Sequence, residues 1–135
     1  MGLFDAEEYR PLIPDGDYIA QCYKYETALS FGNQPKVYLW FKILEGVQAN
    51  KEIFMACSLP KKGKKLTPGF KYYKIWQFVN GSPPSKGTKL SPRLFKNKIF
   101  KIKTETVRRP FGDGEMSESH NYSKVGEIIE VHAGE

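Results

Sequence analysis

The sequence predicts a mainly β fold: five short strands with one helix between the third and the fourth. Three observations carry this. Apolar and polar residues alternate in several short runs, glycine, proline and asparagine separate those runs, and helical spacing dominates in one stretch. At 135 residues the chain fits a single domain, read as residues 1–135 with residues 1–10 as an N-terminal extension. With 40% hydrophobic and 27% charged residues it can close a packed core.

The turn Pro11-Leu12-Ile13-Pro14-Asp15-Gly16 launches a first extended run from Asp17 to Thr27. Strict alternation puts Tyr18, Ala20 and Cys22 on one face and Ile19, Gln21, Tyr23 and Tyr25 on the other. After a break at residues 30–35, Lys36 to Leu44 is the clearest strand, with Val37, Leu39, Phe41 and Ile43 alternating with Tyr38, Trp40 and Lys42. Lys51 to Ser58 follows, with Ile53, Met55 and Cys57 on one side and Phe54 and Ala56 on the other. The pattern then changes period. Thr67 and Pro68 suit an N-cap and first helical residue, and Tyr72, Ile75, Trp76 and Val79 recur at helical spacing up to Asn80-Gly81. A fourth strand, Ile99 to Val107, sets Phe100, Ile102 and Thr104 against Lys101, Lys103 and Glu105. Arg108 to Asn121 reads as a polar loop or hairpin tip around Gly112-Asp113-Gly114. Tyr122 to Val131 is a last strand, although Val125, Ile128 and Ile129 also suit a short helix.

Three strands, a helix and two strands is the order of the five-stranded OB barrel. That fold holds oligonucleotides on its second and third strands and on the loops after the first and fourth. Element order leaves closure of the barrel open, and an α+β sheet of another topology is the alternative.

Several function classes fall away. No apolar run approaches the roughly 20 residues that span a bilayer, so no membrane partner is expected. The start, Met1 to Glu8, lacks the basic and apolar regions of a signal peptide, and Ala6 stands where a myristoylation motif prefers Ser or Thr. Cys22 and Cys57 are too few for a disulfide framework or a four-thiolate zinc site and read as buried thiols of a reducing cytoplasm. His120 and His132 make no metal spacing, and Ser117 and Ser119 beside His120 read as loop polarity. Asp15, Asp17, Asp113 and Glu115 flank glycine turns, which is turn chemistry. Gly63-Lys64-Lys65 lacks the glycine spacing of a phosphate loop. The expectation is no enzyme, no cofactor and no metal.

Charge is more informative. The net charge is +6, but residues 51–109 carry 16 Lys/Arg against Glu52 and Glu105, while the flanking segments are acidic. Such a basic block points to a polyanionic partner, nucleic acid first. Lysines outnumber arginines in it 13 to 3, which favours tracking of charge over bidentate reading of bases. Nineteen aromatic rings supply the second ingredient. If Val37, Leu39, Phe41 and Ile43 point inward, Tyr38, Trp40 and Lys42 point out, beside Tyr23 and Tyr25 of the neighbouring strand, and exposed rings suit stacking on unpaired bases. The candidate nucleic-acid site is therefore Tyr23, Tyr25, Lys36, Tyr38, Trp40, Lys42 and Phe54 on the strands. To it belong Lys61, Lys62, Lys64 and Lys65 in the basic loop, Lys71 on the helix, and Lys101, Lys103, Arg108 and Arg109 on and beyond the fourth strand. Burial of the ring face under helix or termini is the competing expectation.

Leu12 to Tyr18, Glu26-Thr27, Lys36 to Ile43, Leu94 to Lys98 and Tyr122 to Val125 resemble segments of small phage and mobile-element proteins, some of them single-stranded-DNA-binding proteins of the OB class. The resemblance spans roughly residues 11–132 and implies a strand-binding groove on the first three strands, in phage or mobile-element replication or recombination within a bacterial cytoplasm. The apolar Val125, Ile128, Ile129 and Val131 depart from the flexible acidic tail of bacterial single-strand binders. Single-stranded DNA is thus the expected partner, bound with low sequence specificity. RNA and a homodimer stay open beside it, and a protein-interaction module gripping a host protein through the aromatic face is the alternative function.

Overall fold

The computed structural model describes residues 11–30, 34–108, 110–111, 115–116 and 121–132. Its strands are β1 (Asp17–Ser30), β2 (Gln34–Ile43), β3 (Glu52–Ser58), β4 (Ile99–Val107), β5 (Pro110–Phe111), β6 (Glu115–Met116) and β7 (Tyr122–His132), with helix α1 (Lys71–Asn80) between β3 and β4. The five long strands form one antiparallel sheet in the order β3-β2-β1-β4-β7, and β5 pairs with β6 alone. The last apolar segment is a strand rather than a helix. The expected glycine turn at residues 112–114 and the N-terminal extension lie outside the described residues.

The five-stranded main sheet, the helix position and the mainly β class agree with the sequence, while the short pair β5 and β6 is additional and the sheet is open. Among the described residues no ladder joins β3 to β7, so a closed barrel is not present. The two edge strands still approach each other, because Phe54 of β3 stacks on Tyr122 of β7 at 5.9 Å between ring centroids.

The inward face follows the alternation. Val37, Leu39, Phe41 and Ile43 of β2 are buried, as are Ile53, Met55 and Cys57 of β3, and Phe100 and Ile102 of β4. Helix α1 adds Tyr72, Trp76 and Val79 to the same core, and Phe95 fills the space between Tyr72 and Phe100. Each buried ring with a polar atom is satisfied: Tyr72 Oη donates to the Leu90 carbonyl at 2.7 Å and Trp76 Nε1 to the Ser91 carbonyl at 3.1 Å. The buried hydroxyls of Thr104 and Ser123 bond to the backbone of residues 13–16, which ties the entry segment to β4 and β7.

Two local expectations are corrected. Thr67 and Pro68 do not open the helix; Phe70 N donates to the Thr67 carbonyl at 3.0 Å and closes a β-turn, so α1 begins at Lys71. Proline followed by glycine at 68–69 favours such a turn over a first helical turn. At its other end the helix stops where expected, at Gly81, which adopts the left-handed conformation with φ 87°.

The second correction concerns β1. The register with β2 shifts between Cys22 and Lys24, so Cys22 lies opposite Phe41 and Lys24 opposite Trp40. One residue, Tyr23, is the extra member of a β-bulge, and every side chain after it changes face. Tyr25, expected beside Tyr23 on the outward face, therefore lies opposite Leu39 and packs against the core. Lys24 and Glu26 take the outward positions instead.

Candidate nucleic-acid interface

The outward side of β1, β2 and β3 collects the aromatic and basic residues. Across it, Lys24 lies opposite Trp40 and Trp40 opposite Phe54, while Glu26 lies opposite Tyr38 and Tyr38 opposite Ala56. The rings touch in a continuous row: Trp40 to Phe54 at 5.2 Å, Tyr38 to Phe54 at 5.7 Å, and Phe54 to Tyr122. Lysines sit over two of the outward rings, Trp40 and Tyr23. Lys24 Nζ lies 5.2 Å from the Trp40 ring and 5.9 Å from Tyr23, and Lys42 Nζ lies 5.7 Å from Tyr23.

Trp40 projects outward, as its strand parity requires, but it is only 7% exposed. The expectation of a bare indole is therefore corrected. Lys24 covers its face, Phe54 flanks it, and its Nε1 donates to Glu26 Oε1 at 3.1 Å. The bulge is the physical reason, since it turns Lys24 and Glu26 onto the side of the sheet where Trp40 lies. Tyr38, Phe54, Tyr23 and Tyr122 are half-buried. Tyr23 Oη donates to Glu52 Oε1 at 2.8 Å, and burial together with that carboxylate holds its phenol above the usual tyrosine range.

The remaining candidates divide by location. Lys36 is on β2, opposite Ala28 on one side and Ser58 on the other. The exposed Lys61, Lys62, Lys64 and Lys65 occupy the loop that leaves this end of β3, where Leu59 N donates to the Pro35 carbonyl. Arg108 is exposed and follows Val107, the register partner of Tyr122, at the other end of the ring row. Lys71 is on the helix and donates its Nζ to the Gly126 carbonyl at 3.0 Å, so one of its hydrogen bonds is committed to β7. Lys101 and Lys103 are not brought to the rings. They lie on β4 opposite Glu130 and Glu127 of β7, and Lys103 also faces Asp17 of β1. Arg109 lies outside the described residues.

Sequence reasoning missed Lys24, Glu26, Glu52 and Tyr122. A signal for the first two was present. Continuing the alternation from Ala20 and Cys22 would have driven Lys24 and Glu26 into the core, a burial of charge that a one-residue bulge avoids. Cys22 and Cys57 are both buried, and burial pushes their thiols up to about 12 and about 11. That leaves little thiolate for nucleophilic chemistry near neutrality. Among the described residues no group of three or more His, Cys, Asp or Glu could hold a metal ion, and no helix is long and apolar enough to cross a membrane. No family model matches the sequence, and no curated protein matches it.

Proposed function

We propose that the protein binds single-stranded DNA without catalysing a reaction, through the outward face of β1, β2 and β3. The observation that carries this reading is the pairing of rings with lysines on one surface: Tyr38, Trp40 and Tyr122 each contact Phe54, Lys24 lies over Trp40 and Tyr23, and Lys42 lies over Tyr23. Bases stack on rings of any sequence context, and lysines neutralise the phosphates between them. The basic loop at residues 61–65 extends the charged track from one end of the row, and Arg108 from the other. The strand order and the approach of β3 to β7 support an OB-like arrangement in which this surface is the binding groove. A role in phage or mobile-element replication or recombination, in a bacterial cytoplasm, goes with the resemblance of the segments quoted above.

The burial of Trp40 favours a second reading, in which the packed aromatic row is a surface for another protein. Fluorescence anisotropy with labelled single-stranded DNA, duplex and RNA at two salt concentrations separates the two. The first reading expects single strands to bind best and log K to fall with log salt by about 0.7 per phosphate contacted. Absence of binding to any nucleic acid at low salt would leave the protein-binding reading.

A further inference from the structure

The enclosure of Trp40 is built from side chains that are themselves in solvent. The indole is 7% exposed, yet Lys24 and Glu26, which close over it beside Phe54, are both charged and both exposed. Lys24 Nζ lies 5.2 Å from the Trp40 ring, while Glu26 Oε1 accepts from its Nε1 at 3.1 Å. No ion pair locks Lys24 in place: among the described residues no carboxylate is within ion-pair distance of it, and its ammonium faces the Trp40 and Tyr23 rings. The carboxylate thus holds the indole by its edge and the lysine covers its face. Withdrawal of one flexible side chain uncovers that face without moving the sheet.

We propose that Lys24 is a displaceable cover: when a single strand arrives, its ammonium leaves the indole for a backbone phosphate and a base takes its place on Trp40. This rests on the single-stranded-DNA reading above. The exchange is driven from both sides. A phosphate oxygen offers the lysine a charge-assisted hydrogen bond, which a ring face cannot, so the ammonium gains by moving to the strand. The vacated face is apolar, and a base stacked on it keeps water away; every base has a π-face, so no particular edge has to be presented. Glu26 keeps the indole N–H satisfied before and after the exchange. Duplex DNA supplies the phosphate but no unstacked base, so it would leave the ring bare, and the exchange favours single strands.

Trp76→Phe leaves Trp40 as the sole tryptophan of the chain, and acrylamide quenching then reads how well its indole is covered. Quenching should be weak in the free protein, and Lys24→Ala in the same background should raise it several-fold. An abasic oligonucleotide should raise it to a similar extent, because its phosphates withdraw Lys24 and no base follows. Oligodeoxythymidine of the same length should instead quench the indole emission itself and keep acrylamide out. Should Trp76→Phe fail to fold, the same titrations of the wild type, less those of Trp40→Phe, isolate the Trp40 signal. Oligodeoxythymidine that binds by anisotropy but leaves emission and acrylamide quenching unchanged would overturn the exchange and leave strand binding standing. Unchanged quenching in Lys24→Ala would overturn it equally, by assigning the cover to other groups. Failure of both strands to bind at low salt would overturn the strand-binding reading itself.

Discussion

The two halves of the sheet's outward surface carry the same cation in different company. On β4 and β7 the charges alternate in sign across the ladder: Lys101 opposite Glu130, Lys103 opposite Glu127, and Glu105 opposite Lys124, with 3.6 Å between the last pair. On β1, β2 and β3, Lys24 lies over the Trp40 ring and Lys36 lies opposite Ala28 and Ser58, while Lys42 lies over Tyr23 and is the one of the three with a carboxylate, Glu52, as register partner. Cross-strand neighbours of opposite charge attract, and a close pair such as Glu105 and Lys124 contributes a few tenths of a kcal/mol to about 1 kcal/mol to the sheet. A lysine over a ring sets a cation beside an aromatic surface on which a base can stack. The difference teaches that a lysine count says little about polyanion binding until the register assigns each lysine its neighbours.

The comparison can be broken most forcefully at Trp40 and Phe41, adjacent residues on opposite faces. Phe41→Ala should cost about 3–5 kcal/mol through a cavity in the inner core. Trp40→Ala should cost about 3 kcal/mol as well, because the outward row encloses the indole. Urea denaturation of both variants checks this; a Trp40→Ala protein as stable as wild type would mean that the outward row is not a packed layer. Tyr38→Ala should act differently, lowering single-strand affinity by about 1–3 kcal/mol with little change in stability. Titration of a labelled oligonucleotide alongside thermal melts reads both quantities. A smaller and more uniform effect is expected from the loop. Replacing Lys61, Lys62, Lys64 and Lys65 by alanine should weaken all strands about equally and leave the melting temperature unchanged, since these side chains are exposed. Unaltered affinity would place the phosphate track elsewhere.

How much of this was legible in the sequence depends on whether a feature is local. The inward face of β2 was legible because Val37, Leu39, Phe41 and Ile43 repeat with the period of the pleat, and the structure buries all four. The stop of α1 at Gly81 was legible for the same local reason. The burial of Trp40 was not, because its cover comes from Lys24, Glu26 and Phe54, neighbours fixed by the pairing of three strands. The face of Tyr25 was missed because strict alternation was carried through the run, although the charges of Lys24 and Glu26, which that alternation would bury, marked the bulge at Tyr23. Nor could the sequence say that β3 and β7 meet at Phe54 and Tyr122 without a ladder between them, since element order is silent on how far a sheet curls.

The division of lysines between the two halves has one direct test. Lys24→Gln with Lys42→Gln, and separately Lys101→Gln with Lys103→Gln, remove two charges each from the two surfaces. The salt dependence of single-strand binding is then measured for both double variants against wild type. The account predicts that the first pair lowers the steepness of log K against log salt by about 1.4, two contacts of about 0.7 each, while the second pair leaves it unchanged. A slope that falls for Lys101 and Lys103 and holds for Lys24 and Lys42 would put the strand on β4 and β7 and contradict it.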